Sequence, residues 1–250
     1  MDLSTLVGNA PLKRQLSLET ARRGLSHAYI LSGPTGSGKR TLAGLLSAAL
    51  VCTGGGEVPC FACSGCRKAM GGIHPDIIRA GGEGDELNVA RVRAIRSDAY
   101  IKPNEAPRKV YILEGAQTMN DSSQNALLKL LEDGPAYAAF LLLTDNAAAL
   151  LSTVRSRCEV LTLSPVTVQE AEAFLAARYP DCSQAQRANA AARCEGILGR
   201  AVDQLEGKAG DGKALEGAAK LLERFCSGDE LALMDFCASL ERDKWDRDAL

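Results

Sequence analysis

Residues 33–39 read Gly33-Pro34-Thr35-Gly36-Ser37-Gly38-Lys39, and Arg40 follows them. This stretch matches the phosphate-binding loop G-x-x-x-x-G-K-[ST] up to its last position, where a Ser or Thr hydroxyl would bind Mg²⁺. An apolar run at 28–32 precedes the loop, and leucines at helical spacing follow it over 41–51. These flanks supply the strand and helix that the motif requires. The stretch therefore predicts a nucleotide-hydrolase fold in which a cation replaces the metal ligand.

The second nucleotide motif is also incomplete. In nucleotide hydrolases, a second strand ends in an Asp that binds Mg²⁺ and often in a Glu that activates water. Here the strand-like run 110–113 is followed by Glu114 and Gly115, and a glycine has no side chain with which to position water. Two independent losses predict that the chain has no ATPase activity of its own. The residues that would cradle phosphate remain: Gly33, Gly36, Gly38 and Lys39. The sequence therefore argues against hydrolysis of ATP and leaves its binding open.

Apolar runs alternate with helical patterns in the first two thirds of the chain. The predicted strands are 28–32, 76–80, 109–113, 140–144 and 160–163. The predicted helices between them are 41–51, 89–101, 122–131 and a shorter one near 147–151. This alternation predicts an α/β fold with a parallel sheet flanked by helices.

The pattern changes after Pro165, because no strand-like run follows it. Thr167 to Glu170 form a capping box that predicts a helix through Arg178, and a second helix is predicted over 185–194. We therefore predict three regions: an α/β P-loop domain at 1–165, a small helical lid domain at 166–209, and a short helical C-terminal region at 210–250.

Four cysteines follow the phosphate-loop helix: Cys52, Cys60, Cys63 and Cys66. Their spacing, C-x7-C-x2-C-x2-C, can close a tetrahedral shell of sulfur atoms. A shell filled by four thiolates leaves no position for water, which favours a structural metal over a catalytic one. Zn²⁺ suits such a shell and has no redox chemistry, whereas iron–sulfur clusters usually have other spacings. Four unpaired thiols are the alternative interpretation.

Composition limits the classes of function. The chain has 250 residues, a net charge of −2 and nine cysteines. This charge gives no overall attraction to nucleic acid, and the basic clusters are too short to form a DNA-binding stripe. The N-terminus lacks a signal-peptide pattern and no apolar run is long enough for a membrane span, so we expect a cytoplasmic chain without a membrane partner. Cysteines in that compartment indicate thiols and metal more than disulfides.

Several segments together carry a family resemblance. They are His27-Ala28-Tyr29, the four cysteines, His74-Pro75-Asp76, residues 125–132 (Asn-Ala-Leu-Leu-Lys-Leu-Leu-Glu) and Ser156-Arg157-Cys158. Between about Val7 and Pro165 the chain resembles the delta-prime subunits of bacterial DNA polymerase III clamp loaders, which belong to the AAA+ family. The related gamma/tau motor subunits have Ser or Thr after the P-loop lysine and an Asp-Glu pair on the second strand. Arg40 and Glu114-Gly115 are thus similar to delta-prime.

The resemblance implies a role in DNA replication. A delta-prime subunit is a largely rigid, non-hydrolysing member of the clamp loader within DNA polymerase III holoenzyme, a nucleotidyltransferase. It assembles with gamma/tau and delta subunits, and the complex places the sliding clamp on primed DNA. The resemblance implies that Arg157, between Ser156 and Cys158, enters the ATP site of a neighbouring motor as an arginine finger. It also implies a structural zinc ion on the four cysteines. The region after Gly210 is short for the family's collar domain.

Two alternatives remain open. The chain could be an ATP-hydrolysing gamma/tau-type motor, with Thr41 or water in the place of the missing Mg²⁺ ligand and Glu114 as the sole acid. It could also bind ATP without hydrolysing it, as a switch. In the motor's second domain a sensor arginine stands where this chain has Gly199, with Arg200 one place further on. That difference again favours the non-hydrolysing interpretation.

Overall fold

Five parallel strands form one sheet in the order β2-β3-β4-β1-β5. Their bounds are β1 Ala28–Ser32, β2 Ile77–Gly81, β3 Lys109–Glu114, β4 Ala138–Thr144 and β5 Glu159–Thr162. This computed structural model describes residues 1–82, 84–207, 225–226 and 234 of the chain. The predicted parallel α/β fold is confirmed. Apart from those three isolated positions, the predicted C-terminal region 210–250 lies outside the described residues.

The sheet is covered by helices on both faces, as parallel sheets usually are. Strands β1 and β4 are buried along their whole length because they lie between other strands and under helices on both faces. In the parallel register, Ile30 lies opposite Leu142 on one side and Val160 on the other. Alternate residues of each strand therefore face two different apolar layers.

Helices of the described segments flank this sheet and follow it. They are α1 Ala10–Arg23, α2 Lys39–Leu50, α3 Ser64–Met70, α4 Val89–Ala99, α5 Asp121–Asp133, α6 Ser152–Arg155, α7 Val168–Arg178, α8 Gln184–Arg193 and α9 Leu198–Leu205. Leucines of α1 and α2 pack on one face of the sheet, and apolar residues of α4, α5 and α6 pack on the other. Within this part of the chain, none of the helices combines the length and hydropathy needed to cross a bilayer.

Helices α1, α3 and α9 were absent from the sequence prediction. Helix α1 buries Leu12 and Leu16 while most of its other residues are polar, so its apolar stripe is too narrow to detect by periodicity. Helix α3 begins inside the cysteine segment, where Cys63 caps it by accepting a hydrogen bond from the backbone N–H of Cys66. We interpreted this segment from its cysteine spacing, and a helix of seven residues within it was not predicted.

Helices α7, α8 and α9 share an apolar cluster of their own, which includes Leu175, Ala190 and Ala201. The predicted capping box at the start of α7 is confirmed, with the Thr167 and Glu170 side chains each bonded to the other residue's backbone N–H. We call α7, α8 and α9 the lid helices. Their separate core is consistent with a small domain, and its boundary at residue 166 stays a prediction.

Asp76, directly before β2, binds the backbone of the loop between α4 and β3. Its side chain is fully buried, and it accepts hydrogen bonds from the backbone N–H groups of Asn104, Glu105 and Ala106 at 2.6–2.9 Å. Burial opposes ionisation of this carboxyl, but the backbone donors outweigh it, so the pKa of Asp76 lies below its ordinary value. The ionised carboxylate therefore stabilises this loop.

Replacing Asp76 by Asn is expected to lower the free energy of unfolding by about 2–4 kcal/mol, because the amide cannot accept from all three backbone donors. Urea unfolding at neutral pH measures this loss, with Asp181→Asn on an exposed residue as the matched control.

The contribution of Asp76 also depends on pH. Because its pKa is lowered on folding, its stabilisation is fully present above about pH 4, the ordinary Asp value, and is lost as pH falls through the folded-state pKa. The difference in stability between wild type and Asp76→Asn should therefore shrink in acid. A difference that stays constant from neutral to acid pH would contradict the role assigned to the ionised carboxylate.

Candidate functional site

The phosphate-loop residues 33–38 connect β1 to α2 at the carboxyl end of a central strand. Gly36 and Gly38 adopt left-handed backbone conformations, with φ of 85° and 98°, which explains the glycine at both positions. Gly38 caps α2 without a side chain, so the first backbone N–H groups of this helix remain available. An open helix N-terminus after the first strand of a parallel sheet is a common binding place for phosphate.

A cavity of about 570 Å³ opens over this loop. Its volume lies within the range of small-molecule sites. Leu6, Val7 and Phe174 line an apolar part of its wall, and the phosphate loop, Glu114 and Asp145 line a polar part. The structure thus brings together the two incomplete nucleotide motifs, which lie more than seventy residues apart in the sequence.

Arg40 and Glu114 form an ion pair across this site. The Arg40 Nε and Nη2 atoms lie 2.8 and 2.7 Å from Glu114 Oε2. Arg79 approaches the other oxygen of the same carboxylate at 3.4 Å. Glu114 is only 14% exposed, so its carboxylate is held among guanidinium groups and is little solvated. The residues at the two positions that would hold a metal ion therefore contact each other directly.

Lys39 has a partner that the sequence prediction missed. Its Nζ atom forms an ion pair with Asp145 and also donates to the backbone carbonyl of Gly33. Thr35 Oγ1 and Gln117 Nε2 donate to the other Asp145 oxygen at 3.2 and 3.3 Å. The sequence feature that could have predicted this pair is the acidic residue directly after β4. Parallel strands β1 and β4 are neighbours and end at the same edge, so the residues that follow them lie close together.

A lid helix contacts the phosphate loop directly. The backbone N–H of Gly199, in the first turn of α9, donates to the carbonyl of Gly36 at 2.9 Å. A Cβ atom at residue 199 would lie 2.5 Å from the Gly36 Cα, so this close approach requires glycine. Gly199, predicted to replace a sensor arginine, therefore lies at the cavity and presents backbone in place of a cationic side chain.

The four predicted metal ligands form one cluster. The Sγ atoms of the four cysteines all lie within 4.8 Å of one another. Two of the pairs, Cys60 with Cys66 and Cys52 with Cys63, are 4.0 Å apart. Tetrahedral Zn–S bonds would place sulfur atoms roughly 3.8 Å apart, so the cluster is close to the size of a metal shell.

The surroundings of the sulfur atoms also fit a bound metal ion. The backbone N–H of Cys66 lies 3.3 Å from Cys63 Sγ and lowers the pKa of Cys63 to about 5. Burial raises the pKa of Cys66 to about 12, so metal binding would displace a proton from this thiol. A Cβ atom at Gly54 would lie 2.7 Å from Cys60 Sγ, which leaves room only for glycine beside the cluster. With all four thiolates engaged, the ion would have a structural role.

Arg157 follows α6 and precedes the edge strand β5. Its guanidinium forms an ion pair with Glu132 at the end of α5, and Nη1 donates to the Thr153 carbonyl at 2.9 Å. Burial raises the pKa of the neighbouring Cys158 to about 12, so this residue is a neutral thiol that packs beside the core. The Arg157 side chain is 35% exposed. Arg157 is not among the described residues that line the cavity of its own chain.

Solved structures share this fold. The RuvB Holliday junction branch migration motor of Thermotoga maritima aligns with the whole chain and with 74% of its own length, at a TM-score of 0.55 and 19% identity. A DNA polymerase III gamma subunit-related protein from the same organism aligns with 95% of this chain and 79% of its own, at a TM-score of 0.51 and 20% identity. Similarity at this level establishes the fold alone. The chain has an AAA+ fold.

The sequence comparisons identify the family. The family described as "DNA polymerase III, delta subunit" matches residues 8–167, and the chain belongs to it. The delta' subunit of Bacillus subtilis (strain 168) is 34% identical over 142 residues, 57% of this chain and 43% of that protein. The DNA polymerase III gamma subunit of Buchnera aphidicola subsp. Schizaphis graminum is 30% identical over 171 residues, 68% of this chain and 47% of that protein. The chain thus spans less than half the length of these relatives, one of which is a delta' subunit and the other a gamma subunit.

Loss of one cysteine ligand should abolish metal binding. The Cys63→Ser variant is expected to retain little metal, because three thiolates leave the shell incomplete. Metal analysis of the purified protein by mass spectrometry should give one ion per chain for the wild type. Cys182→Ser, outside the cluster, is the matched control and should retain the ion. A strong chelator should lower the Tm of the wild type and of this control and leave that of Cys63→Ser unchanged. Full metal content in Cys63→Ser would contradict the four-cysteine site.

Proposed function

We propose that the chain is a delta-prime subunit of a DNA polymerase III clamp loader that does not hydrolyse ATP. The observation that carries this proposal is the ion pair of Arg40 with Glu114. Nucleotide hydrolases hold Mg²⁺ between the hydroxyl at the end of the phosphate loop and the acid at the end of the second strand. In this chain the side chains at those two positions bind each other, which supports a site without the catalytic metal.

The backbone at Gly115 supports the same conclusion. An acid that activates water would stand at this position, and Gly115 has a φ of 72°. A side chain in this left-handed conformation would be strained. The conformation of the turn after β3 therefore favours glycine over an acidic residue at this position.

The alternative is a gamma/tau-type motor. Intact Lys39 and the similarity to gamma and tau subunits favour it. This alternative requires Mg²⁺ to displace Arg40 from Glu114 and requires water to be activated without an acid at residue 115. We regard the delta-prime role as better supported because it needs neither change.

Arg157 is proposed as an arginine finger that acts on a neighbouring motor subunit. Its absence from the lining of its own cavity supports action on another chain. Glu132 and the Thr153 carbonyl hold the guanidinium, which stays partly exposed beside the edge strand β5. The γ-phosphate of a nucleotide bound to a neighbouring subunit would replace Glu132 as the anionic partner of the guanidinium.

The proposed partners are the gamma/tau and delta subunits of the same clamp loader and, through the complex, the sliding clamp and primed DNA. We expect the complex in the cytoplasm, where bacterial chromosomes are replicated. We propose Zn²⁺ as the structural ion of the four-cysteine cluster, because four thiolates near tetrahedral spacing suit it best.

The Arg157→Ala substitution tests the proposed function. Removing an arginine finger slows the site that it serves by about 10³- to 10⁵-fold. In a loader reconstituted with gamma/tau and delta subunits, clamp and primed DNA, the pre-steady-state burst of ATP hydrolysis should therefore lose the amplitude of one site. Rapid quench-flow with labelled ATP measures this amplitude.

Arg155→Ala is the matched control, since Arg155 is an exposed arginine two residues away, at the end of α6. It should leave the burst unchanged. Assembly of each complex is checked by size-exclusion chromatography before the assay. An unchanged burst for Arg157→Ala in an intact complex would overturn the finger role.

A further inference from the structure

The residues around the phosphate loop do not fit Mg²⁺. Magnesium prefers six oxygen ligands in nearly ideal octahedral geometry and is usually held by a carboxylate together with phosphate and water. Both oxygens of Glu114 face guanidinium groups, Oε2 toward Arg40 at 2.7 Å and Oε1 toward Arg79 at 3.4 Å. No hydroxyl stands at residue 40. The two protein ligands that an AAA+ site would offer to Mg²⁺ are therefore replaced or neutralised.

The same substitution places a second cationic side chain beside Lys39. Arg40 lies in the first turn of α2, directly after Lys39, and both residues line the cavity. A guanidinium presents five donors, so Arg40 can keep a bond to Glu114 and still donate to an anion on its free side. Its side chain is 75% exposed, which leaves those donors accessible.

Asp145 occupies the anion position next to Lys39. Its carboxylate receives bonds from Lys39, Thr35 and Gln117, a set of donors suited to a phosphate group. A phosphate that binds Lys39 must displace this carboxylate. The Asp145 side chain is 45% exposed, so water can solvate it once it is displaced. Asp145 therefore competes with an incoming phosphate for Lys39.

The part of the cavity beyond the phosphate loop suits a nucleoside. The whole cavity has a volume of about 570 Å³, and its apolar lining includes Leu6, Val7, Phe174 and Leu198. We infer that this cavity binds a nucleoside polyphosphate without Mg²⁺, with Arg40 supplying the positive charge that the metal supplies in nucleotide hydrolases. Such a ligand would be retained and not turned over.

This inference does not depend on the assignment as a clamp-loader subunit. Arg157 and its proposed neighbour play no part in it. Failure of nucleotide binding would leave the finger role intact, and failure of the finger test would leave nucleotide binding intact.

Calorimetric titration of the full chain with ATP tests the inference. The wild type should bind ATP in EDTA, and excess Mg²⁺ should weaken the apparent affinity by about tenfold or more, because the metal sequesters the free nucleotide that this site binds. Arg40→Ala should weaken binding in EDTA by about ten- to hundredfold, the usual effect of losing one charged hydrogen-bond donor. Asp145→Asn should strengthen binding by about tenfold, because Lys39 is released from its internal partner.

Arg14→Ala, on an exposed arginine of α1, is the matched control and should bind ATP as the wild type does. Circular dichroism confirms the fold of each variant. The inference is overturned if the wild type binds ATP only with Mg²⁺ or does not bind it at all. It is equally overturned if Arg40→Ala binds as tightly in EDTA as the wild type.

Discussion

The parallel order of the five strands is the constraint on which the functional features depend. Because all five strands run in one direction, their carboxyl ends meet at a single edge, and the side chains that follow β1, β3 and β4 become neighbours there. Lys39 and Arg40 after β1 thus reach Asp145 after β4 and Glu114 at the end of β3. These contacts depend on β1, β3 and β4 lying close together and ending at the same edge of the sheet.

The site that results is electrically balanced by its own side chains. Each cation of the phosphate loop has a carboxylate partner, Asp145 for Lys39 and Glu114 for Arg40. An ATPase leaves such charges to be matched by phosphate and Mg²⁺, so its conformation responds to the ligand. When these charges are already paired within the chain, a bound nucleotide is not needed to neutralise them. We therefore expect a smaller conformational response to ATP. This physical difference supports the proposed role of the chain as a subunit that does not hydrolyse ATP.

Much of this fold was predictable because its signals are local. Apolar runs placed the ends of every strand to within two residues, and the capping box placed the first turn of α7. The four-cysteine cluster followed from spacing alone, since C-x2-C steps bring thiols together within a few residues. The hydrogen-bonding role of Asp76 was not predicted: the residue was assigned to the start of β2, whereas it precedes the strand and accepts bonds from residues 104–106. Such contacts between distant segments have no local signature. The same holds for Asp145 with Lys39 and for Gly199 against Gly36, which depend on how strands and lid helices are arranged in space.

We propose that this chain lacks the catalytic metal site of nucleotide hydrolases. Single-turnover hydrolysis of ATP by the isolated protein in Mg²⁺, with protein in excess over nucleotide, tests it most directly. We expect no product above that formed in buffer, in the wild type and in Arg40→Thr, since Gly115 still provides no acid to activate water. Hydrolysis by the isolated wild type that is lost in Lys39→Ala would show that the chain is a motor and has a working metal site.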